Sequence, residues 1–383
     1  MISSLKIINL NSTRRILLPL SSYNRLYEKG FSTEIKAEET GGYYKEMLKK
    51  KNIDFTDKYY DPFYPYVWLH KLPRNWQPYL RFMRIDQNFG RMLLLNPHLW
   101  GIALAAIQAP IQTTASVIGC FAIGSIFAHA ASCAWDDYAD VEVDRKIPRT
   151  QLRPLVAGIL PKNHARLMLV GLLTGTFGVL SQLSPTAITF GLIATPCVFA
   201  YPYMKQYIQY PQVFLAFALN LGVFMGFGAV MNSIDLSICL PAYLGGVCHT
   251  IFYDSIYAFQ DVEEDKKAGT MSTSQVFAYK PKIIMSALGA GAVLLNTLAG
   301  FNAGLNPSFL AFIGMGALFK AWQVKTLNIK NAPICDMLLN VSYKYGLLVF
   351  IGYLVGALLG KKYNKKFQKI DSKKNEPAKE SIN

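Results

Sequence analysis

Charge is scarce in this sequence: Asp, Glu, Lys and Arg make up 16% of its 383 residues, where a soluble domain carries about a quarter. Acids are the rarer sign, 24 against 39 Lys and Arg, which leaves a formal charge of +15. Cysteine pairs are missing. The six cysteines (Cys120, Cys133, Cys197, Cys239, Cys248, Cys335) stand singly, mostly in apolar runs, with no CxxC or metal-ligand spacing. They read as small buried hydrophobes, not as a thiolate metal centre or redox pair. The five histidines are equally scattered and make no site.

Apolar residues fill the space, at 52% of the chain with 13% aromatic. A helix needs roughly 20 mostly apolar residues to cross the hydrocarbon of a bilayer. Nine runs qualify: 92–111, 114–135, 164–181, 184–203, 211–231, 234–256, 283–302, 307–323 and 342–360, the third and eighth being the weakest. So many successive runs exceed what a soluble helical core uses. The fold class expected is therefore all-α, a polytopic membrane protein built as a bundle of about nine transmembrane helices. The positive charge could suggest nucleic acid, but it sits in loops and tails, where it orients a membrane protein. No nucleic-acid partner is expected; the bilayer is.

Residues 1–32 hold Lys6, Arg14, Arg15, Arg25 and Lys29, several serines and one acid, Glu28. That composition predicts a mitochondrial transit peptide, and Ile16–Leu20 is too short for a secretory core. Residues 33–75 read as a polar linker. From Trp76 to Arg91, apolar Leu80, Met83, Ile85 and Phe89 alternate with arginines, which predicts a helix lying at the interface ahead of the first span. The membrane domain is expected over 76–360, followed by a basic disordered tail over 361–383.

Alternate loops fall on opposite faces. Residues 136–163, 204–210, 257–282 and 324–341 carry Lys and Arg, whereas the breaks near 112–113, 182–183, 232–233 and 303–306 carry none. The positive-inside rule turns the first set inward, toward the matrix in a mitochondrial protein. Nine spans then leave the Lys-rich tail on the outward face, against the trend of the loops.

Two inward loops begin with acids. Asp136, Asp140 and Asp144 end the second span at i, i+4, i+8, so they stack along one helical face and repel one another. At a membrane edge that repulsion calls for cations, and ligands made of oxygen alone select hard ions such as Mg²⁺, which takes one or two carboxylates plus phosphates. The sixth span ends with Asp254 and Tyr257, then Asp261 and Asp265 four apart. Four spans separate the clusters, an even number, so both open on one face. Either cluster alone could be a solvated acidic loop; two at equivalent span ends point to metals holding a diphosphate between them. Arg149 and Arg153 follow the first cluster, and Tyr201 and Lys205 close the fourth span four residues apart. Guanidinium and ammonium groups suit phosphate oxygens.

From Arg84 to Leu347 the sequence resembles the UbiA-type membrane prenyltransferases, and among them the mitochondrial 4-hydroxybenzoate polyprenyltransferases of ubiquinone synthesis. The family's NDxxDxxxD motif is matched by Asp136-Asp137, Asp140 and Asp144, with an RTxxRPxxxG-like stretch from Arg149 to Gly158. Its YPxxKR element is matched by Tyr201 to Lys205, and its YDTIYAHQDxxxD motif by Tyr253 to Asp265. Departures are Asp136 for Asn, Gln206 for Arg, Phe259 for His, and Gln87-Asn88 for Lys-Pro in RLDKPIG. The resemblance implies a nine-helix bundle, Mg²⁺, a polyprenyl diphosphate and an aromatic acceptor, 4-hydroxybenzoate, at the inner membrane with the site facing the matrix.

On that basis Asp136, Asp140, Asp144, Asp261 and Asp265 are the expected metal ligands, and Arg149, Arg153 and Lys205 the expected diphosphate partners. Tyr201 and Tyr257 are placed to face an allylic cation, and Asp254 to orient the acceptor or take its proton. Three other readings compete. One is a non-catalytic relative that binds polyprenyl lipid or other quinone-pathway proteins. Another is a relative with a different acceptor, such as haem. A solute carrier would place its acids near the midplane of broken helices, not at span ends.

Overall fold

The computed structural model describes residues 69–85, 88–145, 150, 153–260, 262 and 271–374, with the backbone alone at 5–8, 16–19, 70, 205, 206, 332, 333 and 362–374. Near the N-terminus a short antiparallel pair, β1 (Leu5–Ile8) and β2 (Ile16–Pro19), sets Leu5 opposite Pro19 and Ile8 opposite Ile16. Regular structure elsewhere among the described residues is helical. It begins with a single 3₁₀ turn, Leu69–Lys71, and the helices α1 (Gln77–Phe82), α2 (Asn88–Ala105), α3 (Ile111–Ala139) and α4 (Val141–Asp144). Then come α5 (Lys162–Leu180), α6 (Pro185–Tyr207), α7 (Pro211–Asn220), α8 (Gly222–Met231) and α9 (Leu236–Ala258). The last four are α10 (Thr273–Phe277), α11 (Pro281–Asn302), α12 (Phe309–Thr326) and α13 (Ala332–Lys374).

With α7 and α8 taken as one rod interrupted at Leu221, nine stretches among the described residues are 18 residues or longer. Six are long and apolar enough to cross a membrane: α3, α6, α7–α8, α9, α11 and α13. The other three, α2, α5 and α12, carry polar side chains within their length, such as Asn96, Arg166 and Lys320. Two of these, α5 and α12, are the runs expected to be weakest.

Three boundaries differ from expectation. The first span stops at Ala105, not 111, because the chain turns before Pro110, which caps α3. Proline cannot continue a helix from its N-terminal side. The last span starts at Ala332, ten residues early, and runs on to Lys374, so residues 361–374 are helical where a disordered tail was expected. A helix already nucleated inside the bilayer propagates without a second nucleation cost. Third, the helix expected over 76–91 is broken after Phe82. Arg84 adopts φ 48°, and the Ile85 N–H reaches back to the Leu80 carbonyl at 3.4 Å. This is a Schellman-like stop in which arginine takes the place glycine favours, at a cost of about 1–2 kcal/mol.

In lipid, apolar burial does not drive helices together; close backbone approach and interhelical hydrogen bonds do. Here α2 is central, with Trp100, Ile102, Ala103 and Leu104 fully buried. It crosses α8 at glycines: a Cβ on Gly226 would lie 2.0 Å from the His98 carbonyl oxygen, and one on Gly101 2.1 Å from that of Val223. On its other side the Trp100 indole donates to the Gly346 carbonyl of α13 at 2.8 Å. Asn220 donates to Thr250 at 2.8 Å (α7 to α9), and Tyr353 donates to the Asn296 carbonyl at 2.6 Å (α13 to α11). The buried Lys320 Nζ lies 2.8 Å from His249 Nδ1 and 3.5 Å from the Phe252 ring centroid. Large apolar side chains such as Leu167, Leu192, Leu294 and Leu318 face outward, as a lipid-facing perimeter requires.

The two ends of the bundle are distinct. At one end Lys361 Nζ donates to the Ala109 carbonyl, and the Asn306 N–H donates to the Gly356 carbonyl at 3.1 Å. Asn302 donates to the Ser237 carbonyl at 2.6 Å, and Ser184 to that of Gly228 at 2.7 Å. These bonds gather the Lys- and Arg-free breaks with residue 361 of α13. Residue 361 of α13 therefore lies on the face opposite the aspartates, where nine expected spans would leave it.

Candidate active site

At the other end, the end of α3 and α4 together deliver four aspartates within nine residues. The Asp140 N–H donates to the Asp136 carbonyl at 2.9 Å and the Asp144 N–H to the Asp140 carbonyl at 2.8 Å, so helical spacing persists through the bend between α3 and α4. Asp136 and Asp140 are half-buried, whereas Asp137 and Asp144 are buried. Asp144 Oδ2 lies 2.5 Å from Arg153 Nη1, and the same nitrogen lies 3.0 Å from Asp137 Oδ1. Arg84 Nη2 approaches that Asp137 oxygen at 2.6 Å. Thr150 donates to the Asp144 carbonyl at 2.9 Å, which holds the loop down. Burial pushes the Asp144 carboxyl above the usual carboxylate range, with the Arg153 guanidinium pulling the other way. The short contact to Arg153 argues that the pair is ionised.

Arg153, expected to meet a diphosphate, thus shares its Nη1 between Asp137 and Asp144. Arg149, Asp261 and Asp265 lie outside the described residues, as does the side chain of Lys205, whose backbone lies in the last turn of α6. Tyr201 joins the two halves. Its hydroxyl lies in the field of Asp254 above all, and then of Asp136, Tyr257 and Asp140. The ends of α3 and α9 therefore both lie within electrostatic reach of one tyrosine.

Trp135 fixes this junction. Its indole N–H donates to the Phe199 carbonyl at 3.0 Å, and its ring meets the Phe199 ring edge-on at 4.9 Å, which locks the end of α3 to that of α6. An apolar cavity starts beside Trp135, Ser132 and Phe199 and runs between α3, α5, α6 and α8. It passes Ala128, Gly124 and Thr195 and reaches Leu180 and Leu183 near the far face.

Among the described residues no group of three or more His, Cys, Asp or Glu side chains could hold a metal alone. The donors present are carboxylate oxygens supplied mainly from one side, which suits an ion that completes its shell with phosphate and water, as Mg²⁺ does.

The UbiA prenyltransferase family model matches residues 94–370. The chain belongs to that family. It is 34% identical over 290 residues to the mitochondrial 4-hydroxybenzoate polyprenyltransferase of Drosophila melanogaster, covering 76% of this chain and 74% of that one. The enzyme of the same name from Homo sapiens is 34% identical over 297 residues, covering 78% and 80%. The fold matches the apo structure of a UbiA homolog from Aeropyrum pernix K1 with a TM-score of 0.59 at 21% identity, over 69% of this chain and 97% of that one. It also matches a UbiA homolog from Archaeoglobus fulgidus bound to GPP and Mg²⁺, with a TM-score of 0.50 at 18% identity over 71% and 99%.

Two features of this UbiA chain escaped sequence reasoning. Asp137 had been passed over beside Asp136, although one residue turns a side chain about 100° around a helix, enough to face it away from its neighbour. Arg84 lies 53 positions from its partner, and no local pattern announces such a pair. Among the family departures, Phe259 is buried among Leu327, Cys335 and Leu338.

Proposed function

We propose that the protein transfers a polyprenyl group from polyprenyl diphosphate to the ring of 4-hydroxybenzoate, with Mg²⁺, at the matrix face of the mitochondrial inner membrane. The first 32 residues would serve as the transit peptide, and other ubiquinone-pathway proteins are candidate partners. The observation that carries the reading is that Asp136, Asp140, Asp254 and Tyr257 all act electrostatically on Tyr201, while Trp135, the chain neighbour of Asp136, lines an apolar cavity between the helices. An acidic cluster that begins one residue after Trp135 of the cavity lining suits an amphiphile with a charged head and an apolar tail. The relatives' names supply the acceptor.

Asp136, Asp140 and Asp144 would hold Mg²⁺ from one side, with Asp261 and Asp265 expected from the other. When bound, Mg²⁺ supplies charge neutralisation to a departing diphosphate. Lys205 and Arg149 are the cations assigned to its remaining oxygens. The carbon–oxygen bond breaks heterolytically, and its electron pair leaves with the diphosphate. Tyr201 and Tyr257 present rings to the allylic cation while the cavity keeps water from its tail. The ring carbon beside the acceptor's phenol group forms the new bond, and Asp254 takes the proton lost there. Membranes bearing the Asp140→Ala variant, incubated with Mg²⁺, labelled polyprenyl diphosphate and 4-hydroxybenzoate, should form no product although the protein inserts normally. Near-wild-type product would sink the scheme.

A further inference from the structure

We infer that Asp137 is a positioning residue and not a metal ligand: with Arg84 it clamps the segment ahead of the first span onto the end of α3 and so aims Asp136 and Asp140. This rests on the metal-diphosphate reading of the site. Asp137 is only 2% exposed, and its Oδ1 is shared between Arg84 Nη2 at 2.6 Å and Arg153 Nη1 at 3.0 Å. Through Arg153 Nη1, 2.5 Å from Asp144 Oδ2, the chain of charges continues into α4. Two guanidinium groups thus screen a carboxylate that would otherwise repel its three neighbours, and they fix the rotation of the last turn of α3.

Arg84 is aimed independently of this contact. The left-handed turn at φ 48° points it back across the bundle, and α1 anchors that turn from the N-terminal side. Phe82 is fully buried against Ala134, Leu155, Leu160 and Ala165. The Tyr79 hydroxyl lies 2.7 Å from His164 Nδ1 at the start of α5. An interfacial segment would need none of this if it served only as a tether. Partners behind a metal ligand commonly set its affinity, by about 10–100-fold when removed.

The test uses the full-length protein reconstituted in bilayers, as wild type and as Asp137→Asn, Arg84→Gln, Arg84→Lys and the Asp137→Asn/Arg84→Gln double variant. Binding of Mn²⁺ with inorganic diphosphate is read by EPR, alongside the Mg²⁺ half-saturation and the kcat of transfer. Asp137→Asn and Arg84→Gln should each weaken Mn²⁺ binding about 10-fold or more, with kcat at saturating Mg²⁺ little changed. The double variant should be no weaker than Asp137→Asn, and Arg84→Lys should recover part of the loss. Backbone amides of 77–85 should exchange faster in both single variants and no faster still in the double. Single variants that bind Mn²⁺ like wild type, or losses that multiply in the double, would overturn the clamp. A wild type that binds no Mn²⁺ with diphosphate would instead refute the site reading, and amide exchange would still decide whether Arg84 acts through Asp137.

Discussion

The crossing of α2 and α8 allows a quantitative prediction. In Gly226→Ala a methyl group would lie 2.0 Å from the His98 carbonyl oxygen and 3.1 Å from its Cα. Carbon–oxygen contacts across helix interfaces settle near 3.3 Å, so the helices must part by about 1.3 Å along that line. Neither side can yield freely. On one side α2 is held to α13 by the bond from Trp100 to Gly346, 2.8 Å long. On the other, α8 is held to α6 by the stack of Phe224 on Phe190 at 5.0 Å and by the bond from Ser184 to Gly228 at 2.7 Å. Overpacking costs about 1–3 kcal/mol and one stretched hydrogen bond about another 1, so a loss of about 2–4 kcal/mol is expected. Unfolding by SDS titration in mixed micelles measures it directly. Gly226 does not line the apolar cavity, so transfer per folded molecule should hold while the midpoint falls. An unchanged midpoint would show that the crossing relaxes without cost, and the claim that glycine fixes this approach would fail.

Two further outcomes follow from named contacts. Lys320→Met removes the partner of His249 Nδ1, in an imidazole whose Nε2 already has no hydrogen bond. The single variant should lose about 1–3 kcal/mol, and adding His249→Leu should restore most of it, because an apolar pair leaves nothing unsatisfied. A double variant weaker than the single would contradict this. In the cavity, Gly124→Phe places a ring where a Cβ already meets Val179 at 3.1 Å. Transfer from long polyprenyl diphosphates should fall more steeply than transfer from dimethylallyl diphosphate, and equal losses for both would detach the cavity from the tail.

The site was partly legible in the sequence. Asp136, Asp140 and Asp144 could be read together because helical spacing is local, and an i, i+4 relation survives the bend at Asp140 through its own backbone bonds. That Asp254 and Tyr257 share their face followed from counting spans. Arg153 is expected from the sequence to meet a diphosphate; the structure adds that its Nη1 lies 2.5 Å from Asp144 Oδ2. Loop arginines have long, freely rotating arms, and sequence alone does not say which oxygen one will reach.

What the sequence by itself determined is the fold class, an all-helical membrane bundle, and the alternation of its loops. Apolar length, and Lys and Arg confined to alternate loops, depend on the bilayer and not on which helices touch. The sequence left the side of the basic tail unresolved, and the bond from Lys361 to Ala109 puts residue 361 of α13 opposite the aspartates. Only the tertiary structure decided what the crossings enclose. The cavity exists because α3, α5, α6 and α8 stand apart beneath Trp135. Tyr201, near the end of α6, feels Asp136 and Asp140 from one span end and Asp254 from another. Arg84 belongs to the site because a left-handed turn aims it at Asp137. Each depends on packing between residues far apart in the chain, in a register that local periodicity does not encode.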